Sequence, residues 1–394
     1  MTDIKQQAQN MNTQMVEWRR HLHAHPELGY ETPQTMAFIA ERLKELGATD
    51  IRTGVGKGGV TAIIQGSGPT PVLGIRADID ALPVKEETGL SFASTVEGRM
   101  HACGHDAHTA MLLGAAKLLI QNKDKLKGSV KLIFQPAEEV TSGAMTMIAD
   151  GVLENPKVDG VVGLHTGSLW GGFKSGEIGY CETPMMAACD FFYIHIKGKG
   201  GHGATPHLTV DPISIGCQIY SGLQTIVSRE TSPLAPAVLT VGSFQGGATP
   251  NIIPPDCTLK GTLRALTPEL RRELQDRITH IAQETARLMR GSATVTFDYG
   301  PPPLIPDKAM VRKLVRAAGD VVGPERVRAI PEPTMGAEDM ACFLEKVPGV
   351  FFFHPSTFGD DRDYPHHHPK FSINEDVLWT GAGSLAQFAL TWQD

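Results

Sequence analysis

The fold of this chain is decided by three runs between Ser129 and Leu164, which read SVKLIF (129–134), AMTMIADGVL (144–153) and DGVVGL (159–164). The first and last runs are short and rich in branched apolar residues, which is typical of buried strands, whereas the middle run has helical spacing. Strands that alternate with helices favour parallel pairing. These runs therefore predict an α/β fold with a mixed, mostly parallel sheet.

The same alternation continues on both sides of that stretch. Upstream, helices are predicted at residues 4–24, 33–46 and about 109–126, and strands at residues 60–66 and 72–82. Towards the end of the chain, helices are predicted at about residues 309–318, 338–346 and 375–392, and a strand at residues 349–353.

Between these two parts the order changes to strand, helix, strand, strand, helix, strand. This order is that of the ferredoxin-like α+β arrangement (βαββαβ), and it ends just before three consecutive prolines. We therefore predict two domains. A catalytic domain would comprise residues 1–185 and 301–394, and an inserted domain would comprise residues 186–300. The length of 394 residues agrees with this, because one hydrophobic core seldom organises so many.

Composition and charge favour a small soluble partner. The formal net charge is −7 and the sequence pI about 6.1, which gives no basic field for nucleic acid and no patch for an anionic membrane. No window approaches the ~20 apolar residues of a spanning helix, and the first residues lack the apolar core of a signal peptide, so a cytoplasmic protein is expected. Six cysteines scattered singly are typical of reduced thiols.

The densest metal-ligand chemistry lies in HACGHDAH (residues 101–108), which contains three imidazoles, a thiol and a carboxylate. A loop could present the sulfur of Cys103 and a nitrogen of His105 to one or two cations, whereas residues two apart on a helix point away from each other. The alternative is a buried cysteine among satisfied histidines. We interpret His101 and His108 as supporting residues.

Further possible ligands lie at the ends of three predicted strands. They are Asp78 and Asp80, Glu138 and Glu139, and His165. In an open α/β sheet the carboxyl ends of parallel strands meet at one edge, and binding sites lie there. We therefore expect these side chains to converge if the three strands are parallel.

The adjacent Glu138 and Glu139 suit a hydrolytic site with two metal ions, because one carboxylate must bind metal while the other takes a proton from water. The alternative is an acidic helix start. One of Asp78 and Asp80 could hydrogen-bond a ligating histidine and fix its tautomer. The run His366-His367-His368 offers a further imidazole, although it could also be a solvated loop.

These motifs resemble the M20 family of metal-dependent amidohydrolases and peptidases, in the branch of hippurate hydrolases, N-acyl-amino-acid amidohydrolases and auxin-conjugate hydrolases. The resemblance covers nearly the whole chain. It rests on RHLHAHPEL (20–28), RADIDALP (76–83), MHACGHD (100–106), QPAEE (135–139), GLH (163–165), GGHG (200–203), NIIP (251–254), GAED (336–339) and HHPKF (367–371).

The resemblance implies two divalent metal ions per subunit. The implied ligands are Cys103, His105, Glu139, His165 and His367. His367 is chosen from its run because the family's ligand stands two positions before the proline of a His-x-Pro-x-Phe pattern. Zinc, manganese, nickel and cobalt all suit such ligands, and the sequence leaves the choice open.

The resemblance also implies roles for residues outside that set. Glu138 would be the general base and Asp80 the orienting carboxylate. On the inserted domain, His202 would help to stabilise the oxyanion, and Asn251 and Arg264 are candidate anchors for a substrate carboxylate. In relatives this domain acts as a lid and forms dimers, so a homodimer is expected.

The expected activity is hydrolysis of the amide bond of N-acyl amino acids, including hippurate-like substrates, by metal-activated water. The products would be a carboxylic acid and a free amino acid. A dipeptidase and an N-deacetylase are alternatives within the family. Outside it, a cysteine-nucleophile amidase would use Cys103 without metal, and a non-catalytic metal- or amino-acid-binding protein could share the scaffold.

Overall fold

The computed structural model describes residues 3–394 and divides the chain into two compact units. Unit 1 comprises the chain up to Thr183 together with Ile305–Glu332 and Asp339–Asp394. Unit 2 comprises Pro184–Leu304 and Pro333–Glu338. Each unit has its own cluster of buried apolar side chains. Within residues 3–394, no helix has the length and apolar character needed to cross a membrane.

The strands of the described chain are β1 (Thr49–Val55), β2 (Gly59–Gln65), β3 (Val72–Asp78), β4 (Ser129–Gln135), β5 (Gly160–Gly167), β6 (Ile178–Tyr180), β7 (Ala188–Lys197), β8 (Gly201–His202), β9 (Ala237–Gly246), β10 (Ile252–Ile253), β11 (Asp256–Ala265), β12 (Ser292–Tyr299), β13 (Val327–Ala329) and β14 (Gly349–Pro355). The α-helices are α1 (Ile4–Asn10), α2 (Asn12–Ala24), α3 (Pro33–Leu46), α4 (His105–Gln121), α5 (Gly143–Ala149), α6 (Pro212–Thr225), α7 (Pro268–Leu288), α8 (Lys308–Val322), α9 (Met340–Leu344) and α10 (Leu378–Thr391).

Unit 1 is built on an eight-stranded sheet in the order β1-β2-β4-β3-β5-β14-β6-β13. Strands β4, β3, β5 and β14 are mutually parallel, and β1 and β2 are antiparallel additions at one edge. Every residue of those four parallel strands is buried, because helices cover both faces of such a sheet. The predicted mixed, mostly parallel sheet is confirmed, and the carboxyl ends of β3, β4 and β5 lie at one edge.

Unit 2 contains a separate four-stranded antiparallel sheet in the order β12-β7-β11-β9. With α6 after β7 and α7 after β11, the chain follows the predicted β-α-β-β-α-β order. Alternate residues of β7 face a core that they share with α6 and α7. A short ribbon of β8 and β10 pairs His202 with Ile252.

The structure departs from the predicted elements in several places, and the short strands β6, β8, β10 and β13 were not predicted. The helix predicted over residues 4–24 is two helices that meet at Met11. Strand β1 was not predicted, because its residues are mostly exposed and polar and show no apolar alternation. Helix α4 begins at His105 rather than near residue 109, because Gly104 adopts a left-handed conformation (φ 91°) and starts the helix inside the cysteine–histidine motif.

Candidate metal centre

Cys103 belongs to two groups of three potential metal ligands, and within each group the ligand atoms all lie within 4.8 Å of one another. The first group adds His105 and His165, and the second adds Glu139 and His367. The structure thus brings together the five side chains that the resemblance implies as ligands. His165 lies within β5 rather than after it, because the strand extends to Gly167.

The imidazoles of His105 and His165 are both held by main-chain carbonyls. Nδ1 of His105 lies 2.9 Å from the Asp80 carbonyl oxygen, and Nδ1 of His165 lies 2.8 Å from that of Thr166. A carbonyl oxygen can only accept, so each Nδ1 carries a proton and Nε2 is the nitrogen left for a metal. Nε2 of His165 faces the Cys103 sulfur at 3.5 Å. Both rings are therefore fixed in a tautomer suited to metal binding.

Two buried atoms of these groups have the chemistry of metal ligands. Nε2 of His105 and Oε1 of Glu139 are buried without a hydrogen-bond partner among the described residues, and they lie 3.8 Å apart. Leaving buried polar atoms unsatisfied is costly, and a divalent ion bound to both would satisfy them. The thiol, imidazole and carboxylate donors suit zinc, cobalt or nickel, while manganese matches the nitrogen and oxygen donors.

The electrostatics of these side chains also favour added positive charge. Burial raises the pKa of Glu139 to about 7, and it raises the pKa of Cys103 well above its usual range, with Glu139 adding to the effect. Burial alone would lower the pKa of His105, but Asp78 and Cys103 raise it well above its ordinary value. A bound cation would favour the deprotonated form of each ligand.

Asp80 holds the two adjacent glutamates through their backbone. Its carboxylate accepts hydrogen bonds from the Glu138 amide at 3.0 Å and from the Glu139 amide at 3.2 Å. Its Oδ1 lies 3.6 Å from Nδ1 of His105, so the Asp80 carbonyl, not its carboxylate, is that nitrogen's nearer acceptor. Oε2 of Glu138 lies 4.0 Å from Nε2 of His105. Asp80 therefore positions both the histidine and the glutamate pair.

Two residues at the site, Ala137 and His367, have a strained backbone conformation. Ala137, just before the glutamates, has φ 58°, and His367 has φ 66°. Each costs a non-glycine residue about 1 kcal/mol or more, and such strain is concentrated at functional sites. The His367 amide donates to the Ala102 carbonyl at 2.8 Å, and its Nε2 lies 3.4 Å from Oε2 of Glu139. The strain thus turns this imidazole towards the second group.

A buried ionic network lies behind the ligands, and its members Arg76, Gln135 and Asp339 were given no role in the sequence analysis. The Arg76 guanidinium donates to Asp78, Asp339 and Gln135, each at 2.8 Å. Asp78 in turn accepts from Nδ1 of His108. The sequence did contain a signal for this network, because Arg76 lies inside an otherwise apolar predicted strand. A buried charge needs buried partners of opposite charge.

His108 uses both ring nitrogens in hydrogen bonds. Nδ1 lies 2.5 Å from the Asp78 carboxylate, and Nε2 accepts from the Thr166 amide at 2.8 Å. No lone pair is left for a metal. His101 is buried with neither nitrogen partnered among the described residues, and burial lowers its pKa to about 3.

The remaining candidate residues belong to unit 2. His202 and Asn251 come together on the β8–β10 ribbon, where the Gly203 amide donates to the Asn251 carbonyl at 2.9 Å. Nδ1 of His202 accepts from the Ala204 amide at 3.0 Å, which leaves the proton on an exposed Nε2. Arg264, on β11, donates to the Met335 carbonyl at 2.8 Å.

Substitution Gly104→Ala is expected to weaken metal binding. The added Cβ would lie 2.9 Å from Cγ2 of Thr166, and the left-handed backbone would cost about 1–2 kcal/mol. The residue separates Cys103 from His105, so relief of the clash moves both ligands. Titration of the metal-free protein with cobalt checks this. Gly98→Ala is the control, because it has φ 73° but meets nothing within 4 Å. Equal affinities in the two variants would contradict the prediction.

Substitution His354→Gln is expected to flatten the acid dependence of stability. His354 is buried between the hydroxyls of Thr166 and Thr380, each 2.8 Å away, and burial lowers its pKa to about 4 from 6.5. Between those values the unfolded chain binds the extra proton. The free energy of unfolding therefore decreases as the pH is lowered through that window, by on the order of 3 kcal/mol for this group.

The measurement is urea unfolding of the metal-free protein from neutral pH down to about pH 4. The wild-type protein should lose more stability than His354→Gln across the window. His25→Gln, at a partly exposed position, serves as the control and should follow the wild type. Parallel curves for the wild type and His354→Gln would refute the assignment.

Comparison with known proteins gives consistent matches over most of the chain. A family model described as Peptidase family M20/M25/M40 matches residues 74–391. The chain is 44% identical over 369 residues to the N-acetyl-L-cysteine deacetylase of Bacillus subtilis (strain 168), covering 93% of this chain and 85% of the relative. It is 43% identical over 304 residues to an N-acyl-L-amino acid amidohydrolase of Geobacillus stearothermophilus, covering 77% and 80%.

Among solved structures, the chain is similar to the Bacillus subtilis YXEP protein, which is described as a dinuclear metal binding peptidase from the M20 family. The TM-score is 0.84 and the sequence identity 35%, and the match covers 97% of this chain and 98% of that one. The structural match and the sequence matches thus indicate the same family.

Proposed function

This chain belongs to peptidase family M20/M25/M40, and we propose that its activity within that family is the hydrolysis of N-acyl amino acids. The membership inferred from the sequence motifs is confirmed, and the chain is an M20 family hydrolase. One observation carries the proposal. Two groups of three potential ligands share Cys103. Glu138 lies beside these groups, and its backbone amide donates to the Asp80 carboxylate.

The two groups are the proposed sites of two divalent ions per subunit. His105 and His165 would hold one ion and Glu139 and His367 the other, with Cys103 contributing to both. Ions bound there would supply Lewis acidity, which polarises the amide carbonyl and lowers the pKa of water. Nε2 of His105 and Oε1 of Glu139, which have no hydrogen-bond partner within residues 3–394, support this assignment.

Glu138 is the proposed general base. It would take a proton from the attacking water and later deliver it to the leaving nitrogen. The neighbouring Glu139 is assigned to the metal instead, because its carboxylate lies in the group with Cys103 and His367, whereas Glu138 lies outside both groups that share Cys103. The backbone hydrogen bonds to Asp80 keep the two glutamates at fixed positions, so that each retains its own task.

Unit 2 is the proposed source of further contacts with substrate. His202 can donate from Nε2 to an oxyanion, because the Ala204 amide occupies Nδ1. Asn251 and Arg264 are proposed to bind the substrate carboxylate, the guanidinium by paired hydrogen bonds and the amide as a further donor.

A relative's name favours a particular acyl group. Because a 44% identical relative is named an N-acetyl-L-cysteine deacetylase, an N-acetyl amino acid is the second candidate substrate beside hippurate-like, benzoyl-bearing compounds. Both belong to the same reaction class and differ only in the acyl group. Zinc, manganese, nickel and cobalt remain the candidate metals.

The test is amino-acid release from a substrate panel by metal-free protein reloaded separately with each of those four metals. The panel contains benzoyl-glycine, N-acetyl amino acids including N-acetylcysteine, and unmodified dipeptides. Metal-restored release from an acylated substrate would support the proposal and identify the acyl class. Release from dipeptides alone would replace it with a dipeptidase, and activity that is indifferent to metal would favour Cys103 chemistry.

We further propose a homodimer formed through unit 2. Strand β9 lies at the edge of its sheet, and Phe244 at its end and Tyr220 on α6 are 38% and 43% exposed. An uncovered sheet edge beside apolar side chains favours pairing with a second copy. Light scattering during gel filtration should give twice the 42.5 kDa chain mass, and a monomer mass would refute the proposal.

A further inference from the structure

His366 contacts the thiol that the two ligand groups share. Its Nδ1 lies 3.6 Å from the Cys103 sulfur. Its Nε2 lies 3.1 Å from the Ser168 amide nitrogen. The imidazole therefore bridges the main chain of the loop after β5 and the sulfur of Cys103.

The Ser168 contact fixes which nitrogen of His366 carries the proton. A backbone amide can only donate, so Nε2 must accept and has no hydrogen of its own. The single ring proton is then on Nδ1, which faces the sulfur. An N–H directed at a thiolate is a charge-assisted hydrogen bond, stronger than one between neutral groups.

The surroundings of His366 are shaped to hold the ring in this place. It packs at 4.7 Å between ring centroids against Phe371 and at 5.1 Å against His165. A Cβ added at Gly167 would lie 2.3 Å from Nε2, so the absence of a side chain there gives the ring its room. Packing on several sides therefore holds the His366 ring against Cys103.

We propose that His366 is a positioning residue that donates Nδ1–H to the Cys103 thiolate and thereby orients the sulfur for both metal ions. This inference rests on the metal centre proposed above. His366 is not an alternative ligand, because metal binding at Nδ1 would require the proton on Nε2, where the Ser168 amide already donates. The bond also withdraws charge from the sulfur, which links His366 to a spectroscopic property of the bound metal.

The experiment compares His366→Leu, His366→Asn and His368→Leu by cobalt titration of the metal-free full chain. Asparagine can place an amide N–H where Nδ1 stood, whereas leucine cannot. His368 is the matched control, because it lies in the same run but its Nδ1 accepts from the Lys370 amide and its ring stacks on Tyr364. The readouts are the dissociation constant, the number of cobalt ions bound and the sulfur-to-cobalt charge-transfer band.

His366→Leu is expected to bind two cobalt ions about 10–100-fold more weakly, as is typical when a partner of a metal ligand is removed. Its charge-transfer band should move to longer wavelength, because a thiolate without the hydrogen bond gives up charge more easily. His366→Asn should restore both properties to near the wild-type values, and His368→Leu should change neither.

Three results would overturn the inference, and they are distinguishable. An unchanged band and affinity in His366→Leu would show that the contact has no effect on the sulfur. Loss of one cobalt ion in both His366 variants would make His366 a ligand. A wild-type protein that binds no cobalt would overturn the proposed metal centre itself, and the inference with it.

Discussion

Substitution Glu138→Gln is expected to lower turnover by about 10²–10⁴-fold while the protein still binds its metal ions. Glutamine keeps the shape and the hydrogen-bonding capacity of the side chain but cannot take a proton from water. The backbone amide at this position, which donates to Asp80 at 3.0 Å, is unaffected, so the loop should keep its conformation. The measurements are kcat on the best substrate of the panel and metal content per chain.

Two comparison variants make this prediction specific. Glu139→Gln should lose metal as well as activity, because it removes a charged member of the group formed with Cys103 and His367. Glu154→Gln, at an exposed position in the same unit, should behave like the wild type. Turnover in Glu138→Gln near the wild-type level, with metal bound, would assign the base to another residue.

Substitution Arg76→Met is expected to reduce the free energy of unfolding of unit 1 by about 3–5 kcal/mol. Arg76 is only 1% exposed, and it holds two buried carboxylates, those of Asp78 and Asp339. Burial raises the pKa of Asp78, but His105, His108 and Arg76 together hold it well below its usual range. Removing the guanidinium takes away the ion pair of Asp339 and leaves Asp78 with the two histidines alone, although both carboxylates stay buried.

Tryptophan fluorescence during urea unfolding is the suitable measurement. All four tryptophans, Trp18, Trp170, Trp379 and Trp392, lie in unit 1, so the signal reports that unit alone. Arg52→Met is the control. Arg52 pairs with Asp50 at 2.9 Å on the surface, and loss of such a pair costs at most about 1 kcal/mol. Similar losses in the two variants would show that the buried network does not stabilise the fold.

Much of the fold could be predicted because periodicity is a local property. The buried parallel strands are continuous apolar runs, and the inserted unit shows alternating and helical spacing over its whole length. Strand β1 escaped prediction because it lies at an edge of the sheet and is largely exposed. The start of α4 was placed too late, since the effect of Gly104 depends on a left-handed φ that the residue type permits but does not require.

The convergence of the candidate ligands was predictable from the strand ends and the family motifs, but the contacts that orient them were not. Nothing in the sequence indicates that main-chain carbonyls of Asp80 and Thr166 fix the two imidazoles. Likewise, the approach of His366 to Cys103 joins residues 263 positions apart and depends on the space left at Gly167. Such contacts are set by tertiary packing, which local patterns do not record.

The order of the strands along the chain has a consequence for biosynthesis. Strand β14 lies inside the sheet of unit 1, between β5 and β6, and His367 follows it in sequence. Synthesis of every strand of unit 2, by contrast, is complete once Tyr299 is made, 68 residues before His367. At about 5–20 residues per second, roughly 3–14 s separate the synthesis of Tyr299 from that of His367. A nascent chain therefore carries Cys103 and its earlier neighbours before the last imidazole exists, so the complete set of five side chains can form only near the end of translation.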